Sequence, residues 1–119
     1  MDDDPIHREL ISDALASVGY AVETVETGEA ALEAARAAPP DVVVLDLLLP
    51  GMDGASVVRE LRRDALLGRV RVVVTTGVHD VHLRRLLEPD AILFKPFGME
   101  ELLLAMDGVL HRAGALPQP

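Results

Sequence analysis

Apolar side chains recur at positions 6, 10, 11, 14, 15 and 18. That stripe predicts an amphipathic helix, opened by Pro5 and stopped by Gly19. Residues 20–25 then alternate, with Tyr20, Val22 and Thr24 against Ala21, Glu23 and Val25, and read as a short strand. Gly28 punctuates, and residues 29–37 form an Ala-rich helical stretch stopped by Pro39 and Pro40. Residues 41–45, Asp-Val-Val-Val-Leu, have no polar interruption after the first position. Such a β-branched run suits a strand covered on both faces. A Pro50-Gly51 loop leads to a helix over 54–65, and a second β-branched run spans 70–76. A short helix over 79–88, a strand over 91–94 and an amphipathic helix over 99–111 complete the pattern. Strands alternating with helices predict βαβ units, hence a parallel sheet with helices on both faces. Five helices but only four strands are predicted, because nothing apolar precedes the first helix.

Composition narrows the function classes. The 119 residues suit one domain, taken as 1–112 with a disordered tail over 113–119. Half of the chain is apolar but only 3% is aromatic, so the core is aliphatic. No cysteine is present, which excludes disulfides and thiolate chemistry. The net charge of −9 argues against nucleic acid and against anionic membrane surfaces as partners. With no membrane-length apolar run and an acidic start, a cytoplasmic setting is expected.

In a doubly wound sheet, functional residues gather beyond the carboxyl ends of the strands. Asp2, Asp3 and Asp4 stand where a strand ahead of the first helix would end, while Asp46, Thr76 and Lys95 end three others. Clustered carboxylates require a cation, and hard oxygen ligands open to water suit Mg²⁺. Lys95 is the only lysine in a chain that otherwise uses ten arginines. A compact ammonium suits a single-point phosphate contact. Metal, ammonium and hydroxyl aimed at one carboxylate make a site for a phosphoryl group.

These residues sit in four motifs: the acidic start, Val-Val-Val-Leu-Asp-Leu-Leu-Leu-Pro-Gly-Met-Asp-Gly, Val-Val-Val-Thr-Thr-Gly and Phe-Lys-Pro-Phe. Together, in this order and spacing, they resemble response-regulator receiver domains. The resemblance covers nearly the whole chain. It implies a flavodoxin-like doubly wound parallel sheet of strand order 2-1-3-4-5, with the first strand missing from the given chain. It further implies that Asp46 accepts a phosphoryl group from a histidine kinase or phosphotransfer protein. Asp2, Asp3 and Asp46 would bind Mg²⁺ together with the Leu48 backbone carbonyl. Thr76 would be the switch hydroxyl and Lys95 the phosphate-binding lysine, followed by a cis bond to Pro96. A signalling protein rather than an enzyme is implied, with output to a downstream protein of unknown identity and room for a homodimer.

The sequence departs from that pattern in three places. The apolar strand leading into the acidic pair is absent, and an upstream strand is expected in the parent reading frame. The stretch from Thr76 to Lys95 is about three residues short of the family's usual spacing. Ile92 occupies a position where the family often carries an aromatic that turns inward on activation. These departures keep open a degenerate or truncated receiver acting as a phosphorylation-independent interaction module. A related Mg²⁺-dependent phosphatase would need a second Asp at position 48, where Leu48 stands.

Overall fold

A strand exists only by pairing, and three of the four predicted strands pair. In the computed structural model, residues 5–47, 54–77 and 87–110 are described. The elements are α1 (Pro5–Ser17), α2 (Gly28–Ala37), β1 (Val42–Asp46), α3 (Gly54–Arg63), β2 (Arg71–Thr76), β3 (Ala91–Phe94) and α4 (Met99–Leu110). The strands form one parallel sheet in the order β1-β2-β3. Val44 stands opposite Val73, Asp46 opposite Thr75, and Thr76 opposite Phe94.

The period-2 alternation of side chains divides the sheet between two apolar layers. Leu45, Val72 and Val74 pack with Leu32 of α2 and Val57, Val58 and Leu61 of α3, joined by Ile92. Val42, Val44, Val73 and Leu93 pack on the other face with Leu15 of α1 and Leu102, Met106 and Val109 of α4. Helices therefore cover both faces, which is why these strands carry no polar alternation. Val72, Val73 and Val74 are fully buried.

Local chemistry ends the elements where the sequence indicated, with one addition. Gly19 adopts φ +101, a left-handed conformation that stops α1 at little steric cost. The Thr27 side chain accepts the Ala30 N–H at 3.1 Å and caps α2, a role beyond the punctuation expected of Gly28.

The strand predicted over 20–25 is not formed. The chain there carries no ladder and no regular structure. Its alternation suits a strand, but on that side of β1 no strand for it to pair with lies among the described residues. Leu87 and Glu88, the end of the helix predicted over 79–88, are described, but the rest of it and the tail fall outside the described residues.

Candidate functional site

The three strand ends bring Asp46 and Lys95 together. Asp46 closes β1, and Lys95 follows β3, two strands away across β2. The Lys95 ammonium donates to Asp46 Oδ2 at 2.5 Å. The Asp46 side chain is 7% exposed and that of Lys95 32%. A carboxylate this deep needs a paired cation to offset lost hydration. The lysine supplies it while its stem reaches in from the surface. An opposite charge at hydrogen-bond distance makes the pair a preformed electrostatic site at the mouth of the sheet.

Backbone bonds hold the two residues at that level. The Lys95 N–H donates to the Thr76 carbonyl at 2.7 Å, extending the β2–β3 ladder by one residue. The Leu47 N–H donates to the Thr75 carbonyl at 3.2 Å and extends β1–β2 in the same way. Thr76 is buried at the end of β2, next to this ladder. The Lys95–Pro96 peptide bond is cis. Ile92 lies inside β3, opposite Val74, packed toward α2 and α3 and away from the strand ends.

Two further residues shape the site. Gly54 opens α3 directly against the end of β1, its N–H donating to the Leu47 carbonyl at 3.1 Å. A Cβ there would stand 2.6 Å from Leu47 Cα and 2.7 Å from the Asp46 carbonyl oxygen, so no side chain fits. The neighbouring Gly51-Met52-Asp53-Gly54 run was the available signal. Thr75 is buried opposite Asp46, and its hydroxyl donates to the Leu45 carbonyl at 3.5 Å; nothing in the sequence distinguished it from Thr76.

Of the expected Mg²⁺ ligands, Asp46 alone is among the described residues. Asp2, Asp3 and Leu48 lie outside them. Among the described residues no group of three His, Cys, Asp or Glu side chains gathers to hold a metal. The donor set itself, carboxylates and one carbonyl, has the hard-oxygen character that Mg²⁺ prefers.

The family model for the response regulator receiver domain matches residues 1–107. This chain is a response regulator receiver domain. It is 37% identical over 112 residues to the DNA-binding response regulator MtrA of Mycolicibacterium smegmatis, covering 94% of this chain and 49% of the relative. It is 33% identical over 121 residues to the DNA-binding dual master transcriptional regulator RpaA of Synechocystis, covering 99% of this chain and 50% of the relative. The signal receiver domain of a signal transduction histidine kinase from Syntrophus aciditrophicus superposes with TM-score 0.87 at 27% identity, over 100% of this chain and 91% of that one. The receiver thus spans about half the length of the curated relatives it matches. Receivers are components of two-component systems, are generally signalling rather than enzymatic domains, and typically bind Mg²⁺ at the phosphorylation site.

One expectation is overturned. The net charge of −9 argues against a nucleic-acid partner, yet relatives matched over nearly the whole chain are named DNA-binding regulators. The charge argument fails because phosphate attraction is set by local basic surface. The count covers only these 119 residues, about half the length of such a regulator. The membrane expectation has a narrower counterpart: no helix of the described residues is long and apolar enough to cross a membrane.

Proposed function

We propose that this receiver takes a phosphoryl group on Asp46 from a histidine kinase or phosphotransfer protein of the cytoplasm. The observation that carries the reading is the pairing of the buried Asp46 carboxylate with the half-buried Lys95 ammonium at the open end of a parallel sheet. One Asp46 carboxylate oxygen forms the new P–O bond while the donor's P–N bond breaks and the imidazole leaves. Lys95, already within hydrogen-bond distance of that carboxylate, neutralises part of the charge that arrives. Mg²⁺, held by Asp2, Asp3, Asp46 and the Leu48 carbonyl, would supply charge neutralisation on the transferring oxygens. Thr76, at the next strand end, offers the hydroxyl that senses the new acceptor oxygens. Output then passes through protein–protein contacts of the receiver, an arrangement that a larger DNA-binding assembly also permits.

The test is intact-mass measurement after incubation with acetyl phosphate and Mg²⁺. The parent chain gains one phosphate and Asp46→Asn gains none. Equal labelling of both overturns the assignment, and no labelling of the parent supports the phosphorylation-independent module.

A further inference from the structure

Charge is unevenly spread along the chain. Residues 59–71 carry five of the eleven basic residues and only two of the twenty acidic ones, Glu60 and Asp64. This segment is therefore positive in a chain of net charge −9. In the fold it comprises the last turns of α3, the loop that follows and the start of β2. It lies at the amino ends of the strands, the opposite end of the sheet from Asp46.

Internal pairing does not consume this positive charge. Glu60 is engaged by Arg63 at 3.5 Å, Asp64 by Arg36 at 3.4 Å and Asp90 by Arg62 at 3.5 Å. Arg59 and Arg69 are exposed and have no carboxylate partner among the described residues. Arg59 precedes Arg62 and Arg63 by one helical turn, which makes the three neighbours on the helix surface. Arg69 sits between the carbonyls of Gly68 and Val70, which the Arg62 guanidinium holds at 3.5 and 3.1 Å.

An apolar side chain stands among these cations. The Asp64 carboxylate accepts the Leu66 N–H at 2.8 Å, and its carbonyl accepts the Leu67 N–H at 3.1 Å. The turn so formed sends Leu67 into the core at 1% exposure and leaves Leu66 81% exposed. A single exposed leucine is ordinary on a protein surface. Here it sits on a loop pinned by Arg62 and beside guanidinium groups that nothing neutralises. Such a patch is preordered, so little further ordering opposes binding. Its complement is an aliphatic side chain flanked by carboxylates, which covers the leucine and meets the planar guanidinium forks. A phosphate backbone would leave Leu66 in water.

We propose that this patch docks an acidic segment of a partner polypeptide, with an aliphatic residue on Leu66 and carboxylates on Arg59 and Arg69. The proposal is independent of the phosphoryl-transfer reading, which is assayed separately by Asp46 labelling at the other end of the sheet.

The probe is the synthetic peptide Asp-Glu-Leu-Leu-Glu-Asp, acetylated and amidated, titrated into the full 119-residue chain by calorimetry. Saturable one-to-one binding is expected. The combined Arg59→Glu and Arg69→Glu variant should weaken it by about tenfold or more, and Leu66→Ser by about fivefold. All three side chains are exposed, so urea unfolding of these variants should match the parent. Leu104→Ser, at a leucine exposed on α4, should bind like the parent. A second arm needs no variant: raising the salt from about 0.05 to about 0.5 M should weaken binding to the parent chain, because exposed charges are screened. A short DNA duplex should not displace the peptide. The proposal is overturned by absence of binding, by indifference to the double reversal or to salt, or by equal effects of Leu66→Ser and Leu104→Ser. Displacement by the duplex would assign the patch to phosphate and overturn it. Self-association of the parent that the double reversal abolishes would assign it to a second copy and overturn it too.

Discussion

Gly54 shows how one missing methyl positions a functional group. The helix that follows β1 starts in contact with the Asp46 carbonyl, and the atoms a Cβ would meet first are backbone, which cannot rotate away. Gly54→Ala is expected to lower stability by about 1–3 kcal/mol in urea unfolding, the usual range for overpacking. It should also slow Asp46 labelling, because relief of the clash displaces the end of β1. Asp64 makes a different prediction. The Leu66 N–H donates to its Oδ1 at 2.8 Å, and this bond, aided by the Arg36 guanidinium, holds its pKa below the ordinary aspartate range. A depressed folded pKa contributes stability above the unfolded value and loses it as pH falls through the folded one. In acid titrations followed by denaturation, the parent should therefore lose stability more steeply than Asp64→Asn below the ordinary aspartate pKa. Parallel curves would show that the Leu66 bond does not select the charged form.

At the scale of elements, the sheet is tied at both ends, and the two ties differ in kind. At the carboxyl ends the tie is the ion pair of the buried Asp46 with the half-buried Lys95. At the amino ends it is Arg62, at the close of α3, whose guanidinium donates to the Val70 carbonyl at 3.1 Å and the Glu88 carbonyl at 3.2 Å. The same guanidinium reaches Asp90, whose carboxylate accepts the Val72 N–H at 2.7 Å. One side chain thus joins the entries of β2 and β3 to α3. Because Arg62 is exposed, its net worth is modest: Arg62→Met should cost about 1–2 kcal/mol. The loss should appear as faster amide exchange at Val72 and Asp90, with the strand ends near Asp46 unaffected. Uniform acceleration across the sheet would contradict a local tie.

For the whole molecule, stability should be graded across the sheet from β2 outward. β2 pairs on both sides and Val72, Val73 and Val74 are fully buried between the two helical layers. Residues 20–25 have no ladder, and Ile6, Leu10 and Val18 of the α1 region are exposed. Opening free energies track such differences in burial and backbone pairing. Native-state hydrogen exchange should therefore find the slowest amides in β2 and the fastest in residues 20–25. Equal protection of the two segments would mean that residues 20–25 are paired in solution.

The α/β class and the helix-covered parallel sheet were legible because they follow from composition over short windows. A β-branched run without polar positions must be buried on both faces wherever the chain takes it. Turn and cap residues then mark its ends, so Asp46, Thr76 and Lys95 could be placed at strand ends from spacing alone. Whether residues 20–25 form a strand was not legible, since a ladder belongs to two segments and alternation describes only one. The reach of Lys95 across β2 to Asp46, the contact that bars a side chain at Gly54 and the Arg62 tie likewise join positions far apart in sequence. Those distances depend on strand register and helix packing, which only the folded chain sets. The nucleic-acid question failed for a related reason: a net charge sums over the sequence, whereas phosphate recognition depends on where charges lie on the surface of the whole assembly.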